Sequence, residues 1–373
     1  MSGRSETWPA AVGDPAGPAE ALPVKTRVLD GFDDPAFGAD AWNVLLHTGD
    51  TDVVSLTWQW QRAWWKTMGR GHLLLIVAER GGRPVAVAPF YADSGMVFFV
   101  GSGSADYMDV VGDVSDPAVL DLLLDTARAH VPGFVGFRLY CVLETSRTGA
   151  LLQGAARRLD LECYEEKRWP APVVDLATDP ARVRAAAGGR PVARQERQFQ
   201  SRGPLTLQQL TDGDAVVPHL EAFFEQHITR LALAGDRSPF LQRPGRTFLE
   251  QLTRSIGETG WLHFSVLEWD GRPIAFEYGI RYNDVYFSGP SSFAVDLAPR
   301  FPGRILLRRL LLRAIDEGIR EYDLGVGDEP HAFQLATGLR HVCTWGLYPT
   351  ELLRAKLTRS SRSEAAGQPG PTA

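Results

Sequence analysis

Hydrophobic and polar positions follow one another in the same order twice along this chain. Residues 73–90 read LLLIVAERGGRPVAVAPF and residues 262–279 read LHFSVLEWDGRPIAFEYG, with Gly82 and Gly271 in equivalent places. Apolar runs of this length, rich in Val, Ile, Phe and Tyr and bounded by Gly or Pro, predict strands. The Gly-Gly and Asp-Gly pairs between them are typical of tight hairpin turns. We therefore expect two copies of one folding unit.

The repeat continues downstream of each hairpin. Each copy adds an aromatic strand, an amphipathic helix and a short strand, at residues 97–101, 118–130 and 137–139 and again at residues 285–289, 304–317 and 322–324. Strands that pair locally and helices that pack against them predict a mixed α/β (α+β) fold. We expect two tandem lobes, each a mostly antiparallel sheet flanked by helices.

Composition predicts the boundaries of these lobes. Residues 1–24 and 359–373 are rich in Ala, Gly and Pro and poor in aromatic residues, which predicts disordered tails. Residues 169–172 read WPAP, and two close prolines favour a break in regular structure between the lobes. We expect a first lobe at 25–169 and a second lobe at 170–358.

Two helical insertions precede the second hairpin, an Arg-rich one at 180–202 and an amphipathic one at 216–234. A cluster of tryptophans precedes the first hairpin, and such rings favour a core over a ligand platform. The cluster consists of Trp58, Trp60, Trp64 and Trp65.

Charge and cysteine content narrow the class of protein. The 373 residues carry a net charge of −6, so the surface as a whole does not favour polyanions. We find no apolar run long enough to span a bilayer and no secretion signal. Three widely spaced cysteines, Cys141, Cys163 and Cys343, favour reduced thiols and offer no metal site. We expect a cytoplasmic protein without a bound metal.

The two copies differ where the helix begins. In the first copy Asp116 precedes Pro117 as an ordinary N-cap, and its negative charge disfavours an anion. In the second copy residues 300–305 read RFPGRI, so the acidic cap is absent, a Gly admits close approach and the first N–H groups are free. This composition favours a phosphate site, although an ordinary helix-entry turn with solvated arginines shares it. The predicted anion ligands are Arg300, Pro302, Gly303, Arg304 and Ile305.

This order of elements resembles the GNAT acyltransferase core, and the doubled form resembles the CelD/BcsL-like acetyltransferases, relatives of the Fem-type peptidyltransferases. The resemblance covers residues 28–349, with recognisable segments at 60–65, at 101–109 (GSGSADYMD) and at 323–329 (DLGVGDE). It implies transfer of an acyl group, most simply acetyl, from acyl-CoA held by the second lobe. A Tyr-Lys pair that the family often has downstream is replaced here by His331-Ala332.

Acyl transfer to an amine needs a base with a pKa near the working pH. Asp323, Glu329 and His331 follow the last predicted strand of the second copy, and Glu277 lies within a strand where the first copy has Ala88. These four are the candidate catalytic residues. An Arg partner for the aspartate and a structural role for the histidine are the alternatives.

Candidate substrate-binding residues come from both copies. Asp106, Tyr107 and Asp109 lie in a Gly/Ser-rich loop of the first lobe that can face the cleft between lobes, and Tyr286 lies in the aromatic strand of the second. Turn formation is the alternative role for the aspartates.

Three functions are compatible with these features. The leading hypothesis is an acyl-CoA-dependent N-acyltransferase that acts on a small or medium-sized amine in the cleft, as a monomer or homodimer. An aminoacyl-tRNA-dependent peptidyltransferase of the Fem type is the second, favoured by the arginines of 180–202 but disfavoured by the acidic net charge. A non-catalytic binding protein is the third, motivated by Ala332.

Overall fold

The structure is a computed structural model and describes residues 22–351. The predicted tails lie outside the described residues, except that Val24 already begins the first strand. The elements of the first lobe are β1 (Val24–Leu29), α1 (Ala39–Leu46), α2 (Trp58–Met68), β2 (His72–Arg80), β3 (Arg83–Asp93), β4 (Met96–Phe99), β5 (Val111–Gly112), α3 (Pro117–Ala129), β6 (Gly136–Leu143), α4 (Arg147–Arg158) and β7 (Leu161–Asp175). Those of the second lobe are α5 (Pro180–Ala187), α6 (Arg190–Gln200), β8 (Leu205–Leu210), α7 (Gly213–Ala234), α8 (Arg243–Gly257), β9 (Leu262–Trp269), β10 (Arg272–Tyr282), β11 (Val285–Phe293), α9 (Pro302–Asp316), β12 (Glu321–Asp323), α10 (Pro330–Leu335) and β13 (Gly338–Pro349). Short 3₁₀ helices lie at Val54–Leu56, Pro239–Leu241 and Val295–Arg300.

The predicted repeat and fold class are confirmed. The hairpins β2–β3 and β9–β10 are antiparallel and are each followed by a strand, a helix and a further strand. Both hairpin turns hold two residues at positive φ, Gly81 and Gly82 in one and Asp270 and Gly271 in the other. That backbone matches the right-handed twist of the flanking strands, which explains the Gly-Gly and Asp-Gly pairs.

The strands of both lobes form one sheet, in the order β1-β2-β3-β4-β6-β13-β7-β12-β11-β10-β9-β8, with β5 paired to β3. The last strand of each lobe is exchanged. β13 lies between β6 and β7, and β7 lies between β13 and β12, so each closing strand pairs with the other lobe. The two lobes are therefore joined through continuous backbone hydrogen bonds.

The expected break at residues 169–172 is wrong, because these residues lie inside β7. Pro170 and Pro172 are paired with His341 and Leu339 of β13. Their carbonyls accept hydrogen bonds from the N–H groups of Gly327 (3.0 Å) and Leu324 (3.1 Å), on the side away from β13. In a strand the N–H and C=O of one residue point the same way, so the missing proline N–H removes no bond to β13.

Helices cover both faces of the sheet. On one face of the second lobe α5, α6 and α9 enclose a separate core that includes Val183, Phe199 and Leu311. On the other face α7 and α8 join the main core, which extends through the first lobe. The predicted insertion at 180–202 forms α5 and α6, and the one at 216–234 forms most of α7.

The tryptophan cluster lies where the lobes meet. Trp60 and Trp64 are buried, which confirms the prediction of a core position, whereas Trp58 and Trp65 are half-buried. The Trp60 ring on α2 packs edge-on against Phe248 on α8 at 5.2 Å between ring centroids. This contact fixes one helix of each lobe against the other.

Candidate active site

The sheet opens in the middle of the second lobe. β11 and β12 run parallel for only three residue pairs, ending at Phe287 and Asp323, and β11 then continues to Phe293 paired only with β10. β10 is irregular opposite this point, between Glu277 and Gly279. The divergence leaves a cavity of about 580 Å³, here called the sheet cavity, against residues 288–293.

The start of α9 forms one end of the sheet cavity. Pro302, Gly303 and Arg304 line it, and Phe301 before them adopts the left-handed conformation with φ of 58°. Ile305 N–H donates the first hydrogen bond of the helix, to Phe301 O at 3.0 Å, and α9 has no side-chain cap among the described residues. The N–H groups of Gly303 and Arg304 are therefore available to an anion at the positive end of the helix dipole.

The equivalent helix start in the first lobe is closed. The Asp116 carboxylate caps α3 by accepting from Ala118 N–H at 3.0 Å and forms an ion pair with Arg80. The cavity there is smaller, about 250 Å³, and four acidic or hydroxyl residues line it. The Asp116 carboxylate thus occupies the start of α3, whereas the equivalent position at the start of α9 has no side-chain cap from any residue that the structure describes.

Not all the predicted anion ligands reach the sheet cavity. Ile305 is fully buried in the core beneath α9, and Arg300 lies over the Phe199 ring at 5.8 Å. Arg308 and Arg309, which follow on α9, are bound to Glu196 at 2.6 and 2.7 Å. The helix turns these side chains away from its own start, so Arg304 is the arginine of this group that lines the cavity.

Two further polar residues of the sheet cavity were not predicted from the sequence. His227 and Arg230, on α7, both line it. His227 hydrogen-bonds Ser238 Oγ at 2.9 Å, and burial lowers its pKa to about 4, so the ring is neutral at pH 7. The sequence could have indicated that His227 is buried, because it lies on the apolar stripe of α7 with Leu220, Phe223 and Phe224.

Arg230 is the second cation of the sheet cavity. Its guanidinium lies 5.8 Å from the Phe293 ring centroid, and its buried Nε has no hydrogen-bond partner among the described residues. Burial lowers the pKa of Arg230, while the carboxylate of Glu329 opposes that shift. A buried donor without a partner is costly, so this nitrogen is a natural ligand for an oxyanion.

Glu277 contributes a buried carboxyl to the sheet cavity. The Tyr322 hydroxyl donates to its Oε1 at 2.8 Å, and the neighbouring hydroxyls of Ser288 and Tyr286 also lower the pKa of this carboxyl. Burial outweighs these effects and raises the pKa of Glu277 to about 7. A carboxyl with this pKa exchanges protons at neutral pH.

A pair of carboxyls, those of Asp106 and Asp323, lies where the lobes meet. Asp106, from the first lobe, lies beside the backbone of Val326 of the second, and it lines the sheet cavity as an exposed residue. The surrounding protein and the nearby charge of Asp323 raise the pKa of Asp106 to about 7, although the residue is exposed to the sheet cavity. Burial likewise raises the pKa of Asp323 to about 6, although Tyr107 Oη donates to it at 2.7 Å and Arg340 lies 3.7 Å away.

A smaller cavity of about 150 Å³, here called the inter-lobe chamber, adjoins the first. Its walls come from the first lobe, α8, β10 and β11, and they are mostly apolar. Six residues line both cavities and are here called the junction. They are Ser104, Asp106, Ser288, Gly289, Pro290 and Gly325.

The remaining predicted site residues are dispersed. Glu329 and Ala332 line the sheet cavity, whereas the side chain of His331 lies outside what the structure describes. Asp109 is buried away from both cavities, where it accepts from Thr51 at 2.6 Å. Tyr286 stacks on Tyr322 at 4.7 Å inside the core of the second lobe.

Comparison with protein families agrees with this geometry. Residues 189–332 match the family model described as acetyltransferase (GNAT) domain, a range that runs from α6 to α10 and includes the whole start of α9. The chain therefore contains a GNAT domain. No curated protein matches the sequence. The GNAT domain lies in the lobe whose helix start is uncapped.

Solved structures extend the similarity over both lobes. FemX superposes with a TM-score of 0.61 at 11% identity, covering 85% of this chain and 98% of that one. The C-terminal domain of a putative lysylphosphatidylglycerol synthetase from Agrobacterium fabrum gives 0.52 at 13% identity, covering 87% and 95%. A tandem GNAT protein from the clavulanic acid biosynthesis pathway, solved without AcCoA, gives 0.50 at 13% identity, covering 87% and 98%. At these identities the likeness establishes a shared tandem fold.

Residues 22–351 contain no cluster of His, Cys, Asp and Glu that can hold a metal ion. Every helix in the described part of the chain is too short or too polar to cross a bilayer.

Proposed function

We propose that this protein is an N-acyltransferase that moves an acyl group, most simply acetyl, from acyl-CoA to an amine. One observation carries the proposal. The uncapped start of α9 opens on a cavity that leads to carboxyls whose pKa values lie near neutrality. The match of residues 189–332 to the GNAT acetyltransferase domain supports it.

In this proposal the pyrophosphate of acyl-CoA binds at the start of α9. The N–H groups of Gly303 and Arg304 and the side chains of Arg304 and Arg230 supply its hydrogen bonds. The pantetheine arm follows the free edge of β11 between Ser288 and Ser292. Backbone N–H groups of that edge, other than the missing one of Pro290, stabilise the developing oxyanion.

Glu277 is the proposed general base. Ser288, a junction residue, lies beside this carboxyl, and in the proposal its hydroxyl links Glu277 to the place where the amine arrives. The neutral amine nitrogen attacks the thioester carbonyl, its proton passes toward Glu277, the C–S bond breaks, and the departing CoA thiolate is protonated. The products are an amide and CoA.

Aminoacyl-tRNA is the alternative donor, as in the Fem-type enzymes. The exposed side chains of Arg182, Arg194 and Arg197 on α5 and α6 favour it. Membership of the CelD/BcsL-like group, a cytoplasmic location and a monomeric or homodimeric state belong to the same proposal.

Calorimetric titration with CoA, acetyl-CoA and tRNA tests the donor. Gly303→Asp places a carboxylate at the second helical residue, and we expect CoA affinity to fall about tenfold or more. Gly303→Ala separates charge from size, because a Cβ there meets Phe293 Cδ1 at 3.1 Å. Ala118→Asp, at the equivalent position of α3, is the matched control and should leave CoA binding unchanged.

The outcomes separate the hypotheses. CoA binding that is weakened by the charge at position 303 alone supports the proposal. Binding of tRNA without CoA supports the Fem-type alternative. CoA binding without turnover of any amine indicates a non-catalytic binding protein.

A further inference from the structure

The inter-lobe chamber offers an apolar site beside the reacting centre. Its walls include Val53, Trp60, Phe248, Leu252, Ile280 and Phe287. Four of these come from α8, β10 and β11 of the second lobe, and two from the first lobe, so the chamber exists only where the lobes are joined. It is separate from the sheet cavity except at the junction.

The polar side chains that line the chamber away from the junction have hydrogen-bond partners within the protein. The Ser55 hydroxyl donates to Tyr107 O at 2.7 Å, and the Tyr278 hydroxyl is hydrogen-bonded to Thr253 at 3.1 Å. Tyr107 Oη donates to Asp323. A hydroxyl-rich ligand therefore finds no free partner among these side chains, and away from the junction it would lose its hydrogen bonds to water.

The volume of the chamber limits the size of its occupant. At about 150 Å³ it equals the engineered apolar cavity, lined by Leu, Ile and Phe, that binds benzene. The occupant is therefore one aromatic ring or a branched chain of about five carbons.

The charges at the junction define the other end of that ligand. Asp106 lies on the shared wall, with Asp323 and Glu329 as its charged neighbours. Arg340 lies against Asp323 and Glu321, on the side of β13. An ammonium group at Asp106 would be attracted by these carboxylates, whereas a ligand carboxylate would be repelled.

We propose that the acceptor is an apolar primary amine of the phenethylamine or branched alkylamine class. Its apolar group fills the inter-lobe chamber, and its amino group lies at Asp106 on the wall shared with the sheet cavity. This inference rests on the proposed function, because the amino group is the nucleophile of that reaction. The bound ammonium first gives one proton to solvent, and the neutral nitrogen then forms a bond to the thioester carbonyl carbon. The C–S bond breaks, Glu277 takes the second proton of the nitrogen, and that proton is returned to the departing CoA thiolate.

Ligand binding at saturating CoA tests the class directly. Phenethylamine is compared with 2-phenylethanol, which lacks the charge, with ethanolamine, which lacks the apolar group, and with phenylalanine, which adds a carboxylate. We expect phenethylamine to bind at least about tenfold more tightly than each of the other three. Equal binding of ethanolamine or phenylalanine overturns the inference.

Two substitutions test the location. Ile280→Phe and Val53→Phe each fill the chamber from one lobe without lining the sheet cavity. Both should weaken phenethylamine binding about tenfold and keep CoA binding, which also reports folding. Leu233→Phe, at an exposed position of α7, is the matched control.

The two proposals fail in different ways. If wild-type protein binds no CoA, the proposed function fails and this inference with it. If CoA binds but neither chamber substitution affects the amine, the amine lies elsewhere and only this inference is wrong.

Discussion

The phenol of Tyr107, in the first lobe, donates a 2.7 Å hydrogen bond to Oδ2 of Asp323, in the second. Both residues are buried, at 3% and 1% exposure. Asp323 also accepts from Gly325 N–H at 2.9 Å, so the loop that carries Tyr107 is fixed against the end of β12. This bond holds the junction at a constant width.

Removing that hydroxyl should destabilise the protein. Tyr107→Phe leaves a buried carboxylate without one of its donors, and we expect a loss of about 1–3 kcal/mol in the free energy of unfolding, measured in urea. Tyr164→Phe, at an exposed position of β7, should change it by less than about 0.5 kcal/mol. Equal effects of the two substitutions would contradict the role assigned to the bond.

The raised pKa of Glu277 predicts how stability depends on pH. Its folded-state pKa of about 7 exceeds the ordinary value of 4.5. The stabilisation from this carboxyl is therefore complete below about pH 4.5 and is lost as the pH rises through about 7. Between these limits the contribution is on the order of 3 kcal/mol.

Glu277→Gln should remove this dependence and the catalytic base together. Wild-type protein should lose stability relative to the variant between pH 4.5 and 8, and wild-type acyl transfer should rise with pH through about 7. Glu250→Gln, exposed on α8, is the matched control and should stay within about 0.5 kcal/mol of wild type at each pH. Parallel stability profiles of wild type and Glu277→Gln would contradict the assignment.

Arg230 should contribute to CoA binding. Its guanidinium lies in the sheet cavity with an unpartnered Nε, and a charge-assisted bond to a phosphate is worth about 1.5–3 kcal/mol. Arg230→Gln should therefore weaken CoA binding about tenfold or more and reduce its dependence on salt. Arg237→Gln, exposed in the loop after α7, should leave both unchanged, and an equal loss there would indicate only long-range electrostatics.

Most of the fold could be predicted because it follows from local patterns. The hairpins, the strand after each and the helix after that were readable from apolar periodicity and from pairs such as Asp270-Gly271. The exchange of β7 and β13 was not readable, because strand pairing between distant segments leaves no local pattern. Pro170 and Pro172 favoured a break, and only the direction of their carbonyls explains why β7 continues.

The candidate site was predicted only where it depends on residues that are adjacent in the sequence. The uncapped start of α9 depends on adjacent residues, so Gly303 and Arg304 were recognisable. Arg230 was not, since its position depends on how α7 packs against β11. Ile305 and Tyr286 were assigned to the site although their side chains turn into the core, because sequence alone does not fix the face of an element.

The exchanged strands predict that the two lobes unfold together. β13 forms backbone hydrogen bonds with β6 and with β7, both of the first lobe. Neither lobe can therefore complete its part of the sheet without strands of the other. We expect one calorimetric transition with equal calorimetric and van't Hoff enthalpies. Val342 is fully buried on β13, so Val342→Ala should lower the free energy of unfolding by about 2 kcal/mol and shift the single transition to lower temperature. Leu339→Ala, exposed on the same strand, should have little effect. Two separate transitions, with only one shifted by Val342→Ala, would mean that the lobes are stable independently and that the chamber between them can open without unfolding either.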